Sequence, residues 1–427
     1  MQSNTKWDWI ILGTASIAVS GAVMSILFNE KGFTYVEGAP RYEAALGVVY
    51  AVIGCYSLAH FRDVIQVMRR SSPMIATLAL AFASMLWAEN PALALRRSFA
   101  LFGSTLLGVL LATRFTSEER LTFLSYILRG LALTSLLFAV FLPSYGVMDD
   151  LLHAGDWNGV FNNKNDLGAY IAMAFLIDCF RPMKRPSTLF WFGLYTVLLV
   201  KSDSASPIAA LVATYIIVKL FHRLRTRHRL SVRAITLSIL GGIAICGSAI
   251  LGSGLLQSLF GRTSDLSGRT ELWRALVPTI LLHPFLGYGY GAFWAGGSSE
   301  YYTVQRLIHW DPMYSHNGFF EITISLGILG LILACWFLTQ AAIYAVRRSD
   351  LTSADIQTSM VDRFPLALMA YVLIRNMTEA TIFHHNSLEW AICAATALDV
   401  LAARKTMPFE KPMEQEAEDT ATVEEYA

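Results

Sequence analysis

Apolar runs close to twenty residues long recur from one end of this chain to the other. Each could cross a roughly 30 Å hydrocarbon core as a helix. Of the 427 residues, 55% are hydrophobic and 15% charged, and the mean hydropathy is +0.47. A soluble domain carries about a quarter charged residues. The runs stay apolar throughout instead of alternating over about 10 residues, which excludes an outer-membrane barrel. An all-α, polytopic integral membrane protein follows. The five cysteines all fall inside apolar segments and make no CxxC, so they read as small buried hydrophobes and not as a disulfide framework.

Twelve spans are expected, over 8–28, 42–60, 73–88, 94–113, 121–143, 164–180, 187–201, 205–221, 234–253, 317–346, 363–382 and 386–403. The first lacks an A-x-A cleavage site and is taken as a retained span. Alternate connections such as "RDVIQVMRR", "TRFTSEER", "RPMKR" and "HRLRTRHRLSVR" are short and rich in Lys and Arg, which marks them as cytoplasmic. Both termini are then cytoplasmic, and the opposite set faces outward. The expected organisation is nine spans over 1–253, a large outer loop with short helices at 254–316, three spans over 317–403, and an acidic, disordered cytoplasmic tail at 404–427.

Charged and polar groups concentrate at the outer surface. "LWAENPALALRRSF" places Arg96 and Arg97 at the outer end of the fourth span, and "GVFNNKNDLGAY" places Lys164 and Asn165 at the start of the sixth. Arg375 lies within the eleventh expected span, with Glu379 four residues on. A charge at mid-bilayer costs about 2.5–3.5 kcal/mol on insertion scales, so it is paired or lines a wet cavity. Two readings of Arg375 follow. It pairs with Glu379 on a shared helix face, or it faces a hydrated cavity and an anionic ligand. Arg129, deep in the fifth span, has no such neighbour in sequence.

"DPMYSHNGFFEITISLGILGLIL" carries His316 where a polar loop meets a membrane helix. Ser315 or Asn317 can cap that helix, and Gly318 permits close approach to the backbone. The amides at a helix start carry partial positive charge, which favours an uncharged ring able to accept a proton. The plainer reading is a cap or a solvated residue. Glu321 could orient the ring only if the first turn is irregular. "SGRTELW" aims Arg269 at another helix start, and backbone amides with a forked guanidinium suit phosphate. Together Arg269, Lys164, His316 and Arg375 share one membrane face. The outer loop is also aromatic, with Trp273, Tyr288, Tyr290, Phe293, Trp294, Tyr301, Tyr302 and Trp310. Half of these are expected in an interfacial belt and the rest stacked on sugar rings.

"LWAENPALALRRSF", "GVFNNKNDLGAY", "SGRTELWRALVPTILLHPFLGYGYGAFW", "HNGFFEITISLGILG" and "NMTEA" resemble the O-antigen ligase and Wzy polymerase superfamily, above all its ExoQ-like exopolysaccharide polymerases. The resemblance covers about residues 80–400. It implies an inverting glycosyltransferase of the GT-C type, in the bacterial inner membrane, acting at the periplasmic face on oligosaccharides carried by undecaprenyl diphosphate. His316 would be the catalytic base. Arg269 would hold the diphosphate, with Lys164, Arg375 and Arg97 as further cations, and Asn165, Asn317, Glu321 and Glu379 would support them. No cofactor, metal or nucleic acid is implied; a chain-length co-polymerase and a flippase are the implied protein partners. Two positions depart from the pattern. Asn163 stands where relatives often carry His, and Ala205 of "SDSASP" stands where they carry Arg or Lys, a place that Lys201, Lys164 or Arg375 could fill. The polymerase reading leads, ahead of a ligase acting on lipid A core or another acceptor. A secondary transporter comes third, disfavoured by the long outer loop and by the lack of a visible repeat or broken helix pair.

The topology has a direct test. A cysteine introduced into 254–316 should react with a membrane-impermeant reagent in intact cells, and one in 222–233 only after the membrane is opened; the reverse pattern would contradict it.

Overall fold

The computed structural model describes residues 5–22, 27, 40–149, 153–181, 185–228, 267–350 and 356–402. The expected ninth span, the first part of the outer loop and the acidic tail lie outside the described residues. The helices are α1 (Lys6–Val19), α2 (Pro40–Ala59), α3 (Phe61–Met68), α4 (Ser72–Ala83), α5 (Pro91–Arg114), α6 (Ser117–Phe141) and α7 (Lys164–Cys179). They continue with α8 (Arg185–Ser202), α9 (Ala205–His228), α10 (Ser267–Leu282), α11 (Ser299–Ile308), α12 (Gly318–Asp350), α13 (Ile356–Arg375) and α14 (Leu388–Ala402). One isolated antiparallel bridge, Val147 to Trp157, is the β-type pairing among the described residues. By length and apolarity alone α2, α5, α6 and α12 can cross a membrane, and α4 and α9 contain shorter apolar helices. The protein is thus all-helical and multi-pass.

The centre is α14 against α5. α14 reads "LEWAICAATALDVLA" and is buried along nearly its whole length. Its alanines let the helices close in, and Gly108 of α5 lies so near the Ala391 carbonyl that a Cβ would stand 2.6 Å from it. Small residues at such crossings are how helices pack where lipid removes the hydrophobic drive.

Charges inside the bundle are paired. Arg129 of α6 reaches Asp178 of α7 at 2.9 Å, and Tyr195 and Ser125 donate to the same carboxylate. Its partner is 49 residues away, so no local pattern in the sequence announces it. Arg114 holds Asp8 at 2.7 Å, and Asp399 of α14 takes Arg120 and Arg348 from α6 and α12. Each removes an otherwise uncompensated charge, whose cost is about 3–5 kcal/mol when one partner of a buried pair is lost.

Two helix breaks shape the outer end. α12 is broken at Gly327 (φ 65°). The freed carbonyls of Ile324 and Ser325 accept from the amides of Tyr288 and Gly289, and the amides of Ile328 and Leu329 donate to Pro284 and Phe285. "HPFLGYGYG" therefore supplies from the loop the backbone bonds that the helix gives up, which is the condition for irregular backbone near lipid. A broken helix is present after all, although no partner break is seen among the described residues. α13 ends at Arg375, seven residues before the expected 382. Asn376 stops it: its Oδ1 accepts from the Thr381 amide, the Thr381 hydroxyl and the Ile382 amide, folding 376–387 into a loop.

Gly327→Ala should destabilise the protein by about 3 kcal/mol or more, because its Cβ would meet the Phe285 carbonyl carbon at 2.2 Å and its φ is left-handed. Thermal unfolding in detergent measures this; an unchanged midpoint would show that the break is not built into the fold.

Candidate active site

Asn317 is the cap of α12, its Oδ1 accepting from the amides of Phe319 (2.9 Å) and Phe320 (3.2 Å). Ser315 instead braces the turn, donating to the Asn317 carbonyl while its own carbonyl accepts from the Trp273 indole. Glu321 does not touch His316. It accepts from the Ser315 amide and from the Trp294 indole, both at 2.8 Å, and so fixes the loop that carries the histidine. His316 itself has φ 51°, left-handed backbone that a non-glycine residue adopts only where its surroundings hold it there. Gly318 admits no ligand. A Cβ there would sit 1.8 Å from the Asn376 side chain, and its amide donates to the Asn376 carbonyl. The close approach is by the chain's own loop.

That same loop presents Glu379. Its Oε1 accepts from Arg269 Nη2 at 2.9 Å, and its Oε2 lies 3.5 Å from His316 Nδ1 and accepts from the Tyr314 hydroxyl. Arg269 also donates through Nη1 to the Thr378 carbonyl at 2.8 Å. The two residues expected to carry the chemistry, 47 positions apart, therefore meet on one carboxylate. Burial opposes the charge on Glu379, but Arg269, His316 and Arg375 outweigh it and hold the carboxyl below the usual range. Burial and the neighbouring Glu379 push the Tyr314 phenol well above its ordinary value, so it stays a donor. The Tyr314 ring packs 4.1 Å from the His316 ring.

The expected pairing of Arg375 with Glu379 along one helix face does not form, because α13 has ended between them. Arg375 instead reaches Glu389 (3.5 Å) at the start of α14 and Ser206 (3.4 Å) beside Ala205. The hairpin that lacks a basic residue thus abuts one. Lys164 is turned away, its ammonium bound to Asp156 at 2.8 Å. Asn163 caps α7 through the Asp166 amide, and Asn165 accepts from Ser204. Arg97 donates to the Gly291 carbonyl, tying α5 to the glycine-rich turn.

A cavity of about 680 Å³ opens between the starts of α2, α5 and α7 and the 376–387 loop. Tyr314, Glu379, Arg375, Arg96, Arg97, His384 and His385 are on its wall; Arg269 and His316 lie directly behind Glu379 and Tyr314. Lys164 is not on that wall. The outer-loop aromatics do not line it as stacking platforms. Trp273, Tyr288, Phe293, Trp294 and Tyr301 form their own hydrophobic core with α10 and α11, so they hold the loop's shape. Tyr42, Tyr50, Phe99 and Tyr170 bring further rings to the cavity, from helices where no local pattern suggested it. His384 and His385, which no sequence pattern singled out, stand between Phe383 (φ 47°) and Asn386 (φ 51°), two further left-handed non-glycine residues. Among the described residues no group of three or more His, Cys, Asp or Glu is placed to hold a metal ion.

Residues 189–335, which include Arg269 and His316, match the family described as O-antigen ligase. The exopolysaccharide production protein ExoQ of Rhizobium meliloti is 27% identical over 308 residues, 68% of each chain. These matches support the O-antigen ligase and Wzy superfamily, with an ExoQ-like member among them, as the family that this chain resembles. A candidate polysaccharide ligase of Rickettsia felis is 23% identical over 67% of this chain and 70% of its own. One from Rickettsia typhi is 26% identical over 33% of this chain and 36% of its own. The superfamily match stops before Glu379, so the carboxylate on which its two basic residues converge comes from outside the matched segment.

Burial and the Arg97 charge lower the His384 imidazole from 6.5 to about 4. The unfolded chain therefore takes up a proton below pH 6.5 that the folded protein refuses until about 4, and stability falls through that window. His384→Gln should flatten the loss of thermal stability between pH 6.5 and 4; an unchanged slope would place the acid sensitivity elsewhere.

Proposed function

We propose that this protein is a polysaccharide polymerase of the inner membrane, transferring a growing glycan from undecaprenyl diphosphate to the next lipid-linked repeat unit at the periplasmic face. The observation that carries this reading is the convergence of Arg269 and His316 on Glu379 beside a large cavity. Twelve spans in a GT-C-like arrangement, with cytoplasmic termini, would set the cavity at the outer lipid surface. A flippase would deliver the units and a chain-length co-polymerase would limit the product.

In the proposed step the acceptor hydroxyl attacks the anomeric carbon from the face opposite the diphosphate. The new glycosidic bond forms as the bond to the diphosphate breaks, and configuration inverts. His316 takes the hydroxyl proton through the ring nitrogen not facing Glu379, while the carboxylate at Nδ1 orients the ring and stabilises the imidazolium, as a third group does for other histidine bases. Arg269 neutralises the charge that develops on the departing diphosphate, exchanging part of its contact with Thr378 and Glu379 for the ligand. Such a leaving group needs no nucleotide activation. Asn317 and Glu321 act through the loop, by holding His316 at its left-handed backbone. Arg97 acts similarly from α5.

Transfer to lipid A core or another terminal acceptor is the second reading, favoured by the family description and by the Rickettsia relatives. Both readings use the same donor chemistry. The break in α12 is the one feature that suits a transporter, and its backbone groups are closed by the loop instead of being left to coordinate a substrate.

His316→Ala should lower polymer formation by about 10²–10⁴-fold, the worth of a positioned base, with the protein level in the membrane unchanged. Long polymer persisting in that strain would remove the base assignment. In a strain deleted for the gene, accumulated single repeat units support the polymerase, and full-length unattached polymer supports the ligase.

A further inference from the structure

Next to Glu379 the cavity wall carries a second set of polar groups. Arg375, 3% exposed, closes α13 there, and Glu389 opens α14 against it. Both are on the cavity wall, and both keep one atom unused: Arg375 Nε and Glu389 Oε1 have no hydrogen-bond partner among the described residues. Buried polar atoms left unpaired are rare, because each forfeits the full cost of its desolvation. A donor and an acceptor left unpaired on two residues that meet at the wall of a cavity point to a ligand offering both.

The local charge says which kind. Arg375 is surrounded by three carboxylates, since Glu389 and Glu379 act on it directly and it acts on Asp166, which shares the wall. Glu379 is itself held by Arg269, which leaves Arg375 with Glu389 and Asp166, a set with no surplus positive charge for a diphosphate. It suits neutral hydroxyls, which donate to a carboxylate oxygen and accept from a guanidinium N–H. Tyr50 is pinned on the same wall by its bonds to Asn386 and Ser104, and its ring lies flat against α5 because Gly103 has no side chain. Tyr42 and Tyr170 complete an aromatic surface of the kind that packs on the C–H face of a sugar ring. The volume falls within the usual range for ligand sites, about 300–1,000 Å³.

We propose that Arg375, Glu389 and Asp166 form a sugar-hydroxyl subsite that seats the acceptor glycan, with Tyr42, Tyr50 and Tyr170 as its stacking wall. Arg375 then belongs to the acceptor's sugar and not to the donor's diphosphate, which was its expected role. The assignment rests on the glycan-transfer reading above.

The test uses the full chain in lipid nanodiscs and two probes. One is the lipid-linked repeat unit extracted from a strain lacking this gene; the other is geranylgeranyl diphosphate, which has the headgroup and no sugar. Glu389→Gln and Asp166→Asn should each weaken binding of the repeat unit by about tenfold or more, the order expected for losing a hydrogen bond to a charged group, and leave geranylgeranyl diphosphate binding unchanged. Thermal midpoints equal to wild type identify the variants that have folded. Equal weakening of both probes would make this a diphosphate site, and no weakening of either would remove it; both results overturn the proposal. Should geranylgeranyl diphosphate fail to bind the wild type while the repeat unit binds and discriminates the variants, the lipid-diphosphate donor is lost and the sugar subsite stands.

Discussion

A single buried carboxylate organises the outer end of this protein. Glu379 receives a guanidinium from α10, a phenol from the 310–317 loop and faces an imidazole at the threshold of α12. The Trp273 indole on the Ser315 carbonyl and the Gly318 amide on the Asn376 carbonyl join the same elements, and the carboxylate fixes their polar side chains relative to one another. It remains ionised in a buried place because Arg269, His316 and Arg375 stand close around it and outweigh its burial. Removing any one of them leaves the others with a charge they cannot share, which is why buried ion networks are costly to break though modest in net stability.

The loop bearing Glu379 exists because α13 stops early. Asn376 turns the chain out of α13 and then occupies the space that Gly318 leaves open, so the end of one helix is docked on the start of another. On the other side, the break at Gly327 lets the glycine-rich turn enter and close the backbone, and Gly291 of that turn holds Arg97. Regular membrane helices would have placed the same side chains on separate cylinders. The departures from helical geometry, His316, Phe383 and Asn386 among them, cluster where the chemistry is proposed, as strained backbone commonly does.

The membrane class and its long apolar helices were legible because hydropathy over twenty residues is a local property. That His316 and Arg269 stand at helix starts was legible for a similar reason, since cap and amide chemistry can be read from adjacent residues. The rest depended on distance. Arg375 and Glu379 are four apart, and helical spacing made them partners until Asn376 ended the helix between them. Arg129 and Asp178, 49 residues apart, could not be joined by any pattern along the chain. The outer-loop aromatics looked like sugar platforms because sequence shows ring content but not that α10 and α11 fold over the rings. Lys164 looked like a phosphate contact because Asp156, in the preceding loop, carries no periodicity that would bring it near.

The central claim is energetic: Arg269 and Glu379 depend on each other across 110 residues of chain. A double-mutant cycle on unfolding stability with Arg269→Gln and Glu379→Gln measures it most directly. The account predicts that each single change destabilises and that the pair together loses less than the sum, with a coupling of about 1 kcal/mol or more. Losses that add to within about 0.3–0.5 kcal/mol, the behaviour of independent sites, would contradict it.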